Sequence, residues 1–294
     1  MLESVRKHLD LLDARGNKYT IRNNNVYRIY KNVVIPFGPA KCDYTLDSKD
    51  AHRVLKEVGG LLIRMTDGFG ENQCEKWYAV ICDSFKSLDE LKAKNRSEIK
   101  RGLKNCEIKH IDAEYVARNG YETYVEAYKS YKTPAAQAME ENEFKEQMLL
   151  TRPFDDIVHY WGAFHNNKLI AFGINNAYYP TEVTYWMIKL HPDYLKLYPS
   201  YALVYKMNEY YLGDMGYEYV NDGWKSVLHE TNVQDFLIRK FSFRKAYSNL
   251  SIIYKRPFSF AVKAAYPFRS VLESCNKKAK ALFEMEAIRR TCRK

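Results

Sequence analysis

The densest run of polar groups in the chain is Asp222-Gly223-Trp224-Lys225-Ser226-Val227-Leu228-His229-Glu230. His229 and Glu230 are the candidates for a general base. An unperturbed imidazole titrates at about 6.5, and burial can raise a carboxyl toward that range. The plainer alternative is that both sit at a helix N-terminus, where the dipole favours a carboxylate anyway. Asp222 can hold an amine, or it can close an Asx turn with Gly223. Arg239, Lys240, Arg244 and Lys245 form a basic run that either binds an anionic group or makes a solvated helix end.

Those groups need elements to hold them. The polar loop follows a strand, YEYVNDG (217–223), and open α/β sheets bind ligands beyond the carboxyl ends of their strands. Thr231-Asn232-Val233-Gln234 is a capping-box pattern that opens a short helix to about Phe241. KAYSNLSIIYK (245–255) predicts a strand that closes the same sheet. Upstream, IVHYWGAFH, KLIAFGINNAYY and EVTYWMIKL, from residue 157, are rich in β-branched and aromatic residues and suit the centre of a sheet. Asn166-Asn167 joins the first two as a hairpin turn. SYALVYKMNEYYLGDMG (200–216) predicts a helix that ends on a glycine.

Nearer the N-terminus, Ser87-Leu88-Asp89-Glu90 matches a capping box, opening a helix to about Asn105. EIKHI (107–111) predicts a strand, with a helix after Asp112 and another from Thr133-Pro134. The first stretch reads strand–turn–strand around Asn23-Asn24-Asn25. A helix follows from about Ser48, then two strands at 60–66 and 77–82.

A chain of 294 residues suits two domains. No window approaches the roughly 20 apolar residues needed to cross a bilayer. The N-terminus mixes charges into its apolar positions and has no signal-peptide core, so a cytoplasmic protein is expected. The six cysteines form no CxxC pair and have no histidine at ligand spacing. That spacing predicts reduced, scattered thiols and no metal site. Formal net charge is +10; residues 255–294 carry +8 of it and 86–104 carry +4, leaving −2 for the rest. The basicity therefore belongs to two segments, and such patches attract anionic partners.

The order of elements, with SLDELKAKNRSEIKRGLKNCEIKHID (87–112) and GYEYVNDGWKSVLHETNVQDFLIRKFSFRKAY (216–247), resembles the GNAT-fold acyltransferases. The pattern is most similar to Fem-type peptidyltransferases and their acyltransferase relatives. Arg96, Ile99, Lys100 and Arg101 stand in the places of the basic run that precedes a strand in that group. The resemblance implies an α/β (α+β) fold: a GNAT-like mixed central sheet flanked by helices, preceded by a smaller, degenerate GNAT-like half. The expected division is 1–86, 87–256 and a basic helical tail at 257–294.

The resemblance also implies roles. A backbone amide within Met187–Leu190 would serve as oxyanion donor. The donor's phosphates would lie at the helix start near Ser200 and Tyr201, helped by Lys196, with Arg239 and Lys240 standing near the place of a phosphate-contacting Phe-Lys pair. The glycine-rich loop of coenzyme A-using members is missing, since Leu195–Ala202 contains no glycine. Backbone amides at a helix N-terminus attract anions even so. Ile238 replaces a tyrosine acid, for which Tyr247 is the substitute candidate, or else Tyr247 is an ordinary half-buried strand residue.

The expected function is acyl transfer from acyl-CoA, or secondarily from aminoacyl-tRNA, to an amine or hydroxyl on a small molecule or cell-envelope precursor. Two alternatives stay open: a nucleic-acid binder using the basic helices, and a GNAT-fold scaffold without catalysis. The tail, with Val271, Leu272, Cys275, Leu282, Phe283 and Ile288 close to one helical face, either docks on its own domain or rests on an anionic membrane surface.

Overall fold

Asparagine turns set the start of the chain's path. The computed structural model describes residues 3–71, 74–131, 137–227 and 232–292. α1 (Glu3–Ala14) precedes a meander of β1 (Tyr19–Arg22), β2 (Asn25–Tyr30) and β3 (Val33–Phe37). Asn23 and Asn24 have φ of 51° and 60°, the left-handed pair that a two-residue hairpin turn needs. α2 (Ser48–Val58) is capped by Asp47, whose carboxylate accepts the Asp50 amide, and buries Ala51, Val54, Leu55 and Val58 on one stripe. β4 (Leu62–Asp67) and β5 (Tyr78–Cys82) follow.

The Glu90 carboxylate accepts both the amide and the hydroxyl of Ser87 at 2.8 Å. This box closes one 3-10 turn, Leu88–Glu90; the helix itself, α3 (Ala93–Asn105), starts after Lys92. Next come β6 (Glu107–Ile111), α4 (Ala113–Asn119), α5 (Tyr121–Lys129) and α6 (Glu141–Leu149). The helix start expected at Thr133-Pro134 lies outside the described residues. β7 (Val158–His165), β8 (Lys168–Tyr178) and β9 (Glu182–Leu190) form an antiparallel run, turning at Asn166-Asn167 with φ of 49° and 63°. α7 (Pro199–Asn208) continues into a π-helical turn, Glu209–Asp214. The chain ends with β10 (Tyr219–Trp224), α8 (Asn232–Phe241), β11 (Arg244–Tyr247), β12 (Asn249–Tyr254), α9 (Arg256–Ala265), α10 (Arg269–Cys275) and α11 (Lys277–Cys292).

The chain divides into two compact units. Unit 1 takes the described residues up to Val80, those within Trp224–Asp235, and those from Arg244 onward. Its five-stranded sheet has the order β1-β2-β3-β4-β12. β3 is parallel to β4, and β12 is antiparallel to β4 from Asn249↔Asp67 to Tyr254↔Leu62. This corrects the expectation that 245–255 close the sheet of the second half for residues 249–254 alone; Arg244–Tyr247 stand beside β5 at the edge of that seven-stranded sheet. Alternate burial along β12 marks a strand, but periodicity does not say which sheet receives it. Leu250, Ile252 and Tyr254 join Leu62, Phe283 and Ile288 in one apolar cluster. Tyr27, Val34, Ile63 and Met65 pack with the α2 stripe in another.

A second correction concerns the thiols. Cys74 and Cys292 are joined as a disulfide, with Cα atoms 5.1 Å apart. Their separation of 218 residues carries no local spacing signal, so only the fold brings them together. Of the tail residues, Phe283 and Ile288 of α11 are buried in unit 1, whereas Val271, Leu272 and Cys275 of α10 are exposed. Among the described residues, no helix is long and apolar enough to cross a membrane.

Unit 2 spans Ile81–Gly223 and Phe236–Phe243. Its strands include the run β10-β9-β8-β7-β6. β10 is parallel to β9 and the other neighbours are antiparallel, so this sheet is mixed as well. Phe172 of β8 faces Phe144 of α6, while a Cβ on Gly173 would meet Met207 of α7 at 3.2 Å. The sheet therefore carries helices on both faces, which accounts for the near-continuous apolar strands.

Candidate functional site

The site begins with two strands that part. β10 pairs with β9 only at Tyr219↔Glu182, Val220↔Val183 and Asn221↔Thr184, while β9 runs on to Leu190. On its other side β9 carries a bulge: Asn175 faces Tyr185 and Ile174 faces Met187, leaving Trp186 as the inserted residue. A bulge bends and twists the strand that holds it. The result is a wedge whose one wall is the backbone of Met187–Leu190, the segment expected to supply an oxyanion donor. The closed end is pinned by Glu182, 2% exposed. Its carboxylate accepts from the Tyr219 hydroxyl at 2.7 Å, the Asn221 amide at 3.1 Å and the Thr184 hydroxyl at 2.5 Å. Three donors offset the cost of burying that carboxylate.

The donor-binding candidates gather at one end of α7. Tyr198 is left-handed, with φ of 63°, and Pro199 occupies the first helical position. The Tyr201 amide bonds the Tyr198 carbonyl at 3.1 Å. The Tyr201 ring packs edge-on against Phe236 of α8, with centroids 5.0 Å apart, and the Lys240 ammonium lies 5.6 Å from its centre. Lys240 is bound to Glu98 of α3 at 2.6 Å, so an incoming phosphate would compete with that carboxylate. Arg239 is exposed at the C-terminal end of α8, where the helix dipole favours cations. Asn95 donates to the carbonyls of Arg239 and Lys240 at 3.0 and 3.4 Å, satisfying the helix end. Lys196 is exposed on the 3-10 turn before α7, and Ser200 is half-buried in its first turn.

The remaining candidates divide. Asp222 is half-buried on β10. The Asx turn beside it belongs to Asn221, whose side-chain oxygen accepts the Gly223 amide at 2.7 Å. Tyr247 is a half-buried residue of β11 in unit 1, its ring edge-on to Tyr78 at 5.8 Å. His229 and Glu230 lie outside the described residues. Among the described residues, no group of three or more His, Cys, Asp or Glu is placed to hold a metal ion.

Two residues that carry the geometry were not singled out from sequence. Gly102 lies where α3 crosses the start of α7: a Cβ there would sit 2.6 Å from the Tyr198 carbonyl oxygen and 3.2 Å from Ala202. The close approach made elsewhere by a loop glycine is made here by a helix glycine. An isolated glycine inside a helical pattern was the available signal. The other is Lys189 on β9, 7% exposed. Its ammonium lies 4.0 Å from the ring centre of Tyr128 and 5.0 Å from that of Tyr131, and donates to the Tyr131 hydroxyl at 3.0 Å. Burial pushes the amine down to about 8. The rings stabilise the cation through their faces. A lysine inside the apolar run WMIKL was the visible cue.

No protein-family model matches the chain, and no curated protein matches it. Among solved structures, FemX is 8% identical at a TM-score of 0.56, covering 87% of this chain and 92% of its own. The C-terminal domain (DUF2156) assigned to a lysylphosphatidylglycerol synthetase of Agrobacterium fabrum is 12% identical at 0.52, covering 90% and 96%. A conserved protein of unknown function from Bacteroides thetaiotaomicron is 10% identical at 0.50, covering 83% and 87%. At such identities the likeness is one of fold, and the chain has the GNAT-like, Fem-related fold that its element order implied.

Proposed function

We propose that the protein transfers an acyl group to an amine or hydroxyl acceptor, with the reacting carbonyl in the wedge between β9 and β10. The parting of those strands after Asn221↔Thr184 carries the reading. It leaves room beside strand-backbone amides, the groups that stabilise a developing oxyanion. Acyl-CoA is the donor in this proposal, its phosphates near Ser200 and Lys196. His229 or Glu230 takes the acceptor's proton, directly or through one water, and Asp222 orients an acceptor amine.

Calorimetric titration with acetyl-CoA in low and high salt tests the donor. Micromolar binding that changes little with salt is the expected result, and Lys196→Glu should weaken it by about 1–3 kcal/mol. Absence of saturable binding by acetyl-CoA would remove the acyl-CoA donor.

A second donor, aminoacyl-tRNA, is favoured by α3 and its N-cap, which present Lys92, Lys94, Lys100, Arg101 and Lys104 to solvent. In that case binding of a mixed aminoacyl-tRNA pool falls steeply with salt, by roughly one power of salt concentration for each phosphate neutralised. The acceptor belongs to the small-molecule or cell-envelope precursor class in this proposal, and the reaction is cytoplasmic. Contact with an anionic membrane surface is assigned to α10 and the residue before it, where Phe268 is 67% and Val271 64% exposed.

A further inference from the structure

Unit 1 holds a cleft of about 350 Å³ built from elements distant in sequence. α2 supplies Ser48 and His52, α9 supplies Arg256, Ser259 and Lys263, and α11 supplies Arg289. The volume is at the lower end of the range for small-molecule sites, and enough for a phosphate with part of its carrier.

The charge in the cleft is unbalanced. Glu286 is the carboxylate in the lining, and it is already occupied. Arg289 donates to it through Nε at 2.7 Å and Nη2 at 2.5 Å, Arg290 through Nε at 2.8 Å, and Tyr254 through its hydroxyl at 2.7 Å. Among the described residues, neither Arg256 nor Lys263 has an acidic side chain within ion-pair distance. A divalent cation would find no available carboxylate there, whereas an anion meets two uncompensated cations.

The neutral groups agree in sign. His52 Nδ1 lies 2.6 Å from the Ser48 carbonyl oxygen, so Nδ1 carries the proton and Nε2 is the atom left for a ligand. Arg256 and Ser259 lie in the first turn of α9, a ten-residue helix whose N-cap, Lys255, gives no side-chain hydrogen bond. The positive end of that helix adds to the cationic field. Two cations, one hydroxyl and a helix N-terminus are what phosphate oxygens require.

We propose that this cleft binds a phosphomonoester or diphosphate group, held by Arg256 and Lys263, with Ser259 and His52 adding hydrogen bonds. The site is separate from the wedge in unit 2 and does not depend on the acyl-transfer reading.

The test titrates the whole chain with inorganic pyrophosphate. Saturable binding is expected, weakened roughly tenfold or more by Arg256→Glu and by Lys263→Glu, and unaffected by Lys277→Glu. Ser259→Ala, expected to weaken it roughly threefold, serves where a charge reversal fails to fold. A second arm separates free phosphate compounds from lipid headgroups. It uses sedimentation with phosphatidylcholine vesicles, with or without roughly one-third phosphatidylserine. With a soluble ligand, sedimentation with the anionic vesicles is the same in wild type, Arg256→Glu and Lys263→Glu, whereas a headgroup ligand gives sedimentation that both substitutions weaken. Absence of saturable binding in both arms overturns the proposal. So does equal pyrophosphate affinity in wild type, Arg256→Glu and Lys263→Glu, or an equal loss in Lys277→Glu.

Discussion

Each unit buries a group that water would prefer to keep, and the two solve the problem differently. In unit 1, Glu286 is 1% exposed and fully partnered. Burial raises its carboxyl, but the hydrogen bonds from Arg289, Arg290 and Tyr254 outweigh that and hold it down at about 2. In unit 2, Lys189 is walled by tyrosine rings, and its amine is pushed down to about 8 by burial. Unit 1 also ties sequence-distant segments together, β12 against β4 and Cys74 to Cys292. Unit 2 parts its strands at the centre instead. A paired charge fixes a structure, whereas an amine held without a carboxylate is poised to change state, and the wedge and the amine occur in the same unit.

The largest effect expected from this contrast is at Glu286. Glu286→Ala leaves two arginines and a tyrosine facing a void and should cost about 3–5 kcal/mol, the range for breaking a buried pair from one side. Urea unfolding measures it, and a cost of a few tenths would show that the network is ornamental. The pH dependence has a definite sign. The folded carboxyl titrates below its unfolded counterpart, so its contribution is whole above about 4.5 and is lost as pH falls toward about 2. The wild type should lose stability across that window more steeply than Glu286→Gln.

The disulfide comes next. Cys292→Ser should lower stability by about 2–4 kcal/mol, as expected for opening a long covalent loop. Reductant added to the wild type should reproduce the loss. If reductant changes nothing, the packing of Phe283 and Ile288 and the Tyr254–Glu286 hydrogen bond hold α11 without the disulfide. Free-thiol titration before and after reduction reads the state of the bond directly.

Gly102→Ala is the matching test in unit 2. Its Cβ would meet a backbone oxygen at 2.6 Å, which cannot swing aside as a side-chain tip would. The expected cost is about 1–3 kcal/mol from forcing α3 away from α7. In the proposed function it also moves Tyr198 and Tyr201, so donor affinity should fall with stability. Unchanged affinity in a destabilised but folded variant would detach the α7 end from the donor site.

What the chain disclosed about itself follows the range of each interaction. Asn23-Asn24 and Asn166-Asn167 fixed their turns because a left-handed asparagine is a local fact. The β7–β8–β9 run was readable because its strands are consecutive. The seat of β12, the pairing of Cys74 with Cys292 and the clasp of Asn95 on the end of α8 were hidden, since each joins segments far apart in sequence. The Ser87 capping box was present but capped a 3-10 turn rather than α3; a box satisfies the first amides without dictating how far the turn propagates. At the site, residue types were visible and partners were not: Lys240 was a legible cation, but Glu98 decides whether it is available.

The smallest expected change, and the one with opposite sign, is at Lys189. Its folded amine titrates at about 8, below the usual lysine value, so between that pH and about 10.4 the unfolded chain binds more protons than the folded one. Stability must therefore rise with pH as the buried amine sheds its charge. Relative to Lys189→Met, wild type should gain stability from about pH 8 toward pH 9.5. Lys189→Met keeps the length of the side chain and removes the amine, while the buried Cys106 thiol and the buried tyrosines, raised in both proteins, cancel in the difference between the two curves. At pH 7 the variant should melt no lower than wild type, because replacing a buried ion by an apolar group is commonly neutral or stabilising. A Lys189→Met protein that melts well below wild type at pH 7 would mean that contacts with Tyr128 and Tyr131 stabilise the ammonium more than burial costs it. Lys189 would then be a structural anchor like Glu286, and the contrast between the two units would fail.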